Sequence, residues 1–166
     1  GTGTCVVTMD DAKAVTATFT IRQYQLTVNK SGSGDGSVTS TPIGISCLTG
    51  TASCNATYDV NTSVQLTPAA AANSSFSGWT GCDSVSGDVC TVAMSADKIV
   101  IPAFSLQQFT LTATSTGNGF VTSTPPGIDC GNGIHSACST AFDVGTTVNL
   151  ADTPDADSLF NGYSGD

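Results

Sequence analysis

The chain has 166 residues, only 10% of them charged, and its 13 acids against 4 bases give a formal net charge of −9. So few Lys and Arg cannot neutralise a phosphate backbone or an anionic lipid surface, which argues against nucleic-acid and membrane-surface partners. No apolar run is long enough to span a bilayer, and with neither an initiating Met nor a signal-peptide pattern, a processed chain or a piece of a longer one is expected.

Taken in chain order, the first signal is Cys5-Val6-Val7-Thr8-Met9, followed by Lys13, Val15 and Phe19. Tyr24, Leu26 and Val28 then alternate with Gln and Thr, as a strand half-buried on one face requires. Gly32-Ser33-Gly34-Asp35-Gly36 supplies a turn, and the reading is a hairpin whose return strand, Ser37 to Thr41, stops at Pro42. After the Cys47 to Cys54 loop come strands over Thr57 to Val60 and Ser63 to Thr67, the latter with Val64 and Leu66 on one face. Pro68 to Ala72 is compatible with one helical turn. Phe76 to Trp79, Cys90 to Met94 and Lys98 to Phe104 read as further strands.

The signals then start again. Phe109, Leu111 and Ala113 repeat the first strand, Thr116-Gly117-Asn118-Gly119 the turn, Phe120 to Thr124 the return strand before Pro125, and Thr147 to Leu150 the Ser63 strand. Phe160-Asn161-Gly162-Tyr163-Ser164-Gly165 answers Phe76-Ser77-Gly78-Trp79-Thr80-Gly81, and the opening Cys5 to Phe19 pattern answers Cys90 to Phe104 at a shift of about 85 positions. A fixed period signifies modules stacked or strung in series. The expected fold is therefore mostly β, in tandem modules of about 85 residues: one complete module over 20–104, the closing strands of a preceding one over 1–19, and the opening part of a further one over 105–166. Joints as short as Ser105-Leu106-Gln107 and Thr20 to Gln23 leave neighbouring modules little orientational freedom.

Cys47 and Cys54, Cys82 and Cys90, and Cys130 and Cys138 are close pairs bracketing short loops, a spacing that suits disulfides in an extracellular or cell-surface setting. Reduced buried thiols are the alternative. A metal site is not expected, since the chain has no Cys-x-x-Cys and a single His. Cys5 is left unpaired; it answers Cys90, and the position answering Cys82 is Asp166.

Gly36-Ser37-Val38, Cys47, Cys54, Tyr58, Val64-Gln65-Leu66, Phe76 to Cys82, Cys90-Thr91-Val92-Ala93-Met94 and the closing Ala103-Phe104 together resemble the divergent internalin B-repeat family, also called the Listeria/Bacteroides repeat. The resemblance implies small β-grasp-like modules in large secreted or surface-anchored bacterial proteins, with no enzymatic activity. Two positions depart from the pattern: Tyr163 stands where the complete module has Trp79, and Asp166 where it has Cys82.

The candidate sites are weighed against the repeat. His135 has no counterpart in the complete module and reads as a surface-loop residue, without the neighbouring base that nucleophilic catalysis needs. Asp152, Asp155 and Asp157 could ligate calcium, but their counterparts near Ala69 to Asn73 are uncharged and a solvated loop is the plainer reading. Trp79 and Tyr163 could form a sugar-stacking platform, although one aromatic per module at a fixed position is more often core. Asn29, Asn55, Asn61 and Asn73 head glycosylation sequons. No enzyme activity and no cofactor are expected.

What remains is an interaction between units. Val7, Met9, Val15 and Phe19 are expected as donor-strand anchors, facing an acceptor core of Phe109, Leu111, Val148, Leu150, Phe160 and Tyr163. The partner is then the chain itself, in a head-to-tail polymer or as covalent tandem copies forming an extracellular filament or stalk. The alternative is the repeat segment of an adhesin that binds a glycan or protein ligand.

Overall fold

The computed structural model describes residues 3–165, and every regular element among them is a β-strand. In chain order these are β1 (Gln23–Asn29), β2 (Gly36–Thr41), β3 (Ser46–Cys47), β4 (Ser53–Asp59), β5 (Ser63–Ala70), β6 (Ser74–Thr80), β7 (Ser84–Ser86), β8 (Val89–Ala93) and β9 (Lys98–Leu106). Then follow β10 (Gln108–Thr112), β11 (Gly119–Thr124), β12 (Asp129–Gly131), β13 (His135–Ala137), β14 (Ser139–Asp143) and β15 (Asn149–Pro154).

Residues 23–106 form two sheets, one in the order β4-β1-β9-β6 and one in the order β3-β2-β5-β8-β7. The alternation read from the sequence places Leu26 and Val28 of β1, Val64 and Leu66 of β5, Cys90 and Val92 of β8, and Val100 and Phe104 of β9 in one buried core with Val38 and Met94. Burying each of the larger of these contributes about 1.5–3 kcal/mol. β1 is antiparallel to β4 and parallel to β9, and β6 is antiparallel to β9.

The expected hairpin between Tyr24–Val28 and Ser37–Thr41 does not form. Both long edges of β1 are taken by β4 and β9, and those of β2 by β3 and β5. The glycine-rich link instead carries the chain from one sheet to the other across the end of β9. There Ser31 N–H donates to Pro102 O at 3.0 Å and Gly34 N–H to Phe104 O at 3.0 Å. Gly32, at φ +97°, leaves no room for a Cβ against the Phe104 carbonyl. The link is pinned by the Lys30 ammonium, whose side chain is 7% exposed and which donates to Asp35 Oδ1 at 2.5 Å, Gly36 O at 2.7 Å and Leu48 O at 2.9 Å. Beside Lys30, and with the Gly50 and Gly36 amides also donating to it, the Asp35 carboxyl is lowered from 3.8 to about 2.

No helical turn forms over Pro68 to Ala72. β5 runs on to Ala70 because Pro68, Ala69 and Ala70 pair with Val38, Ser37 and Gly36 of β2, and this pairing outweighs the helix propensity of alanine.

Residues 108–154 rebuild the first part of the same arrangement. β10 pairs with β14 as β1 does with β4, and β12, β11 and β15 follow the order of β3, β2 and β5, with β13 added at the edge. A polar knot is copied too: Ser40 Oγ donates to Pro42 O at 2.7 Å and accepts from Ile45 N–H at 2.8 Å, and Ser123 does the same with Pro125 at 2.7 Å and Ile128 at 2.9 Å.

The copy stops short in three places. The strand expected over Thr147 to Leu150 begins only at Asn149, because the counterparts of Thr147 and Val148, namely Ser63 and Val64, are held by Ala93 and Val92 of β8. The stretch answering β6, Phe160 to Gly165, is not a strand, since β6 is held by β9 alone. The two closing strands read in residues 5–19 are not formed either, and that segment pairs with no other strand among the described residues.

Candidate functional site

The leading segment carries its apolar side chains in the open. Val7, Met9, Val15 and Phe19 are 39%, 72%, 61% and 92% exposed, whereas their counterparts in the complete module, Val92, Met94, Val100 and Phe104, are 0–1% exposed. The same residue types thus sit in a core once and in solvent once. Large exposed apolar side chains in series mark an interaction surface. Val6 and Ile21 are also exposed, and Lys13 holds Asp10 at 2.5 Å.

At the other end of the chain two strands keep an open edge. Among the described residues β10 has a partner only in β14 and β15 only in β11, where β1 and β5 each have two. Between these free edges and residues 159–165 runs a groove of about 560 Å³, lined among others by Leu111, Ala113, Val121, Leu150, Phe160 and Tyr163. The structure brings four of the six expected acceptor residues together there. Phe109 is exposed and Val148 half-buried, and neither lines the groove. Ala113, Val121 and Leu159 belong to it although the sequence reading did not single them out.

Phe160 and Tyr163 pack on each other at 4.7 Å between ring centres, as Phe76 and Trp79 do at 5.2 Å. In the complete module that pair rests on the core: Trp79 Nε1–H donates to Asp88 O at 2.7 Å, and Phe76 meets Phe104 edge-on at 5.5 Å. In the groove Phe160 and Tyr163 lie half-open, and loss of solvation, with a smaller contribution from Asp152, raises the Tyr163 phenol above its ordinary value of 10.0.

Two glycines record what the groove lacks. A Cβ on Gly32 would strike Phe104 O and one on Gly81 would strike Ile99 O, both carbonyls of β9. Their counterparts Gly117 and Gly165 keep positive φ values of +88° and +130° with nothing within 4 Å of the Cβ position.

Cys47–Cys54, Cys82–Cys90 and Cys130–Cys138 are disulfides. Cys5 is free and exposed, and Asp166, the position answering Cys82, lies outside the described residues. His135 Nδ1 meets Asp129 Oδ1 at 2.6 Å and its ring stacks on Phe120 at 3.9 Å. Asp155 accepts a hydrogen bond from Asn132 at 2.8 Å, and Asp152 faces the groove. No helix among the described residues is long and apolar enough to cross a membrane.

The fold is that of a small β module without a helix among the described residues, stapled by disulfides. Residues 24–108 match the divergent InlB B-repeat domain, and the chain belongs to that family. Neither a curated protein nor a solved structure matches it. The family and the disulfides are compatible with an extracellular surface protein.

Proposed function

We propose that this chain is a non-catalytic structural unit of an extracellular filament or stalk, in which a segment equivalent to residues 1–19 of the next unit closes the open module at residues 105–166. The observation that carries the reading is the contrast between Phe19, exposed in the leading segment, and Phe104, buried at the same repeat position. The complete module supplies the register. Val64 faces Val92, Leu66 faces Cys90, Val28 faces Val100 and Phe76 faces Phe104. Transferred residue by residue, Val7 lies opposite Val148, Cys5 opposite Leu150, Val15 opposite Ala113 and Phe19 opposite Phe160.

Strand addition satisfies the unpaired backbone groups along β10 and β15 while apolar side chains fill the groove, so affinity and register arise together. A heterologous contact between opposite ends of the unit that does not close on itself propagates into a fibre. The absence of Glu from the sequence, and a lone His stacked on Phe120, support a role without catalysis.

Removing residues 1–19 tests the reading. The truncated chain should remain a single unit by sedimentation and electron microscopy, and a peptide of residues 3–21 should bind it and protect the β10 and β15 amides from hydrogen exchange. Intact mass of denatured, reduced native material separates the two forms of assembly: 16.6 kDa signifies strand exchange between separate chains, and a much larger mass a covalent tandem. Fibres of unchanged diameter and rise from the truncated chain would refute completion. Glycan binding by the single unit, lost on changing Trp79 without unfolding, would favour the adhesin alternative.

A further inference from the structure

The strands that carry the chain into and out of the complete module lie side by side. β1 enters at Gln23 and β9 leaves at Leu106, and the two run parallel at the centre of their sheet, with Leu26 beside Lys98, Thr27 beside Ile99 and Val28 beside Val100. The pairing continues past the end of β1 through Ser31 N–H to Pro102 O at 3.0 Å, Phe104 N–H to Ser31 O at 2.9 Å and Gly34 N–H to Phe104 O at 3.0 Å. Only Gln107 separates β9 from β10, so tension along the chain is delivered straight to the ends of these strands.

From this arrangement we infer that the module is built to carry tensile load, with the β1–β9 pair as its mechanical clamp. Tension pulls β1 backward from Gln23 and β9 forward from Leu106, sliding parallel neighbours along their own axis. In that geometry the connecting hydrogen bonds must fail together, whereas strands pulled apart from one end lose them singly. The buried Val28, Val100 and Phe104 side chains resist the same slide, since none can move without leaving the core.

The disulfides fit this division of labour. Cys47–Cys54 ties β3 to β4 and Cys82–Cys90 ties the loop between β6 and β7 to β8, so neither bridges β1 to β9. They shorten what can be drawn out after the clamp fails, and the first resistance is left to the clamp. The open module at 108–154 has β14 but no parallel partner on β10, and is mechanically unfinished. The inference requires only that modules be strung in series; it does not depend on how the open module is closed.

Single-molecule pulling on the whole chain tests it, with the exposed Cys5 thiol as one handle. A second handle at the C-terminus shears β1 against β9. A second handle at Ala96, in the exposed bend before β9, as Ala96→Cys, peels them from one end. At equal loading rate the complete module should yield at a force about twofold or more higher in shear than in peeling, because forced unfolding follows the barrier and shear loads every bond of the clamp at once. The shear event is recognised by its length: reduction frees loops of 7 and 8 residues and, after the 5.6 Å that each disulfide already spans is subtracted, adds roughly 40 Å of extension. Equal forces in the two directions, or a complete module no stronger than the open one, would overturn the inference. Disappearance of the weak open-module event in a joined array reports strand completion instead, so the two readings can fail separately.

Discussion

Phe19 and Phe104 form a matched pair of positions, and alanine at the two should differ in the separate chain and cost alike in the joined one. Phe104 is 1% exposed and meets Phe76 at 5.5 Å, so Phe104→Ala opens a cavity in the complete module and should cost about 3–5 kcal/mol in any state of assembly. Phe19 is 92% exposed, and Phe19→Ala should leave urea unfolding of the separate chain unchanged within about 0.5 kcal/mol. Once seated against Phe160 of a neighbour, Phe19 acquires the surroundings of Phe104, and its loss should weaken the joint by a similar 3–5 kcal/mol, roughly a hundredfold to several thousandfold in dissociation constant. Sedimentation equilibrium of wild type and variant, alongside urea titrations of each, measures both quantities. If Phe19→Ala chains associate as tightly as wild type, or if the separate chain loses several kcal/mol, the assigned register is wrong.

Asp35 should set part of the acid stability. Its carboxyl is held at about 2 in the folded chain against 3.8 ordinarily, so the stabilisation is present above about pH 4 and drains away as pH falls toward 2. Asp35→Asn should therefore lose its deficit relative to wild type over that window, and parallel stability curves through it would contradict the Lys30 linkage. Serine at both Cys82 and Cys90 removes a loop closure of 8 residues and should lower stability by roughly 2–3 kcal/mol, read from denaturant midpoints. Tyr58→Phe removes one of two acceptors for the buried Ile45 amide but leaves Ser40 Oγ at 2.8 Å, and should cost only about 1 kcal/mol; Ser40→Ala also strips the Pro42 contact and should cost more. The chain already holds the milder case, with Phe142 at the Tyr58 position and Ser123 alone on the Ile128 amide. Equal losses from the two variants would show that the tyrosine shares the load.

Strand positions were legible because alternation depends only on which face a residue shows, and Leu26, Val28, Val64 and Leu66 obey it. Sheet membership was not. A glycine-rich link after one alternating run looks the same whether the chain folds back beside β1 or crosses to a second sheet, and the contacts that decide it come from β9, some seventy residues later. The apolar residues of the leading segment were legible through the repeat, since each has a twin in the complete module. The acceptor was less so. Phe109 copies Tyr24 in sequence yet lies outside the groove, while small Ala113 lines it where Val28 lines the finished core. Gly117 reads in the sequence as a turn residue and Gly165 only as one more repeated position, and it is the carbonyls pressed against Gly32 and Gly81 that show what a side chain would meet there in the complete module.

Those bare positions bear on how such a sequence can drift. Gly117 and Gly165 keep room for carbonyls that, in the proposed array, another copy brings from its residues 19 and 14, so a side chain introduced at either would be felt first by a different molecule or a later stretch of the polymer. Because the obstruction would be main chain, no compensating trim of a neighbouring side chain could relieve it. In that array the leading segment and the open module would be bound to a common evolutionary fate.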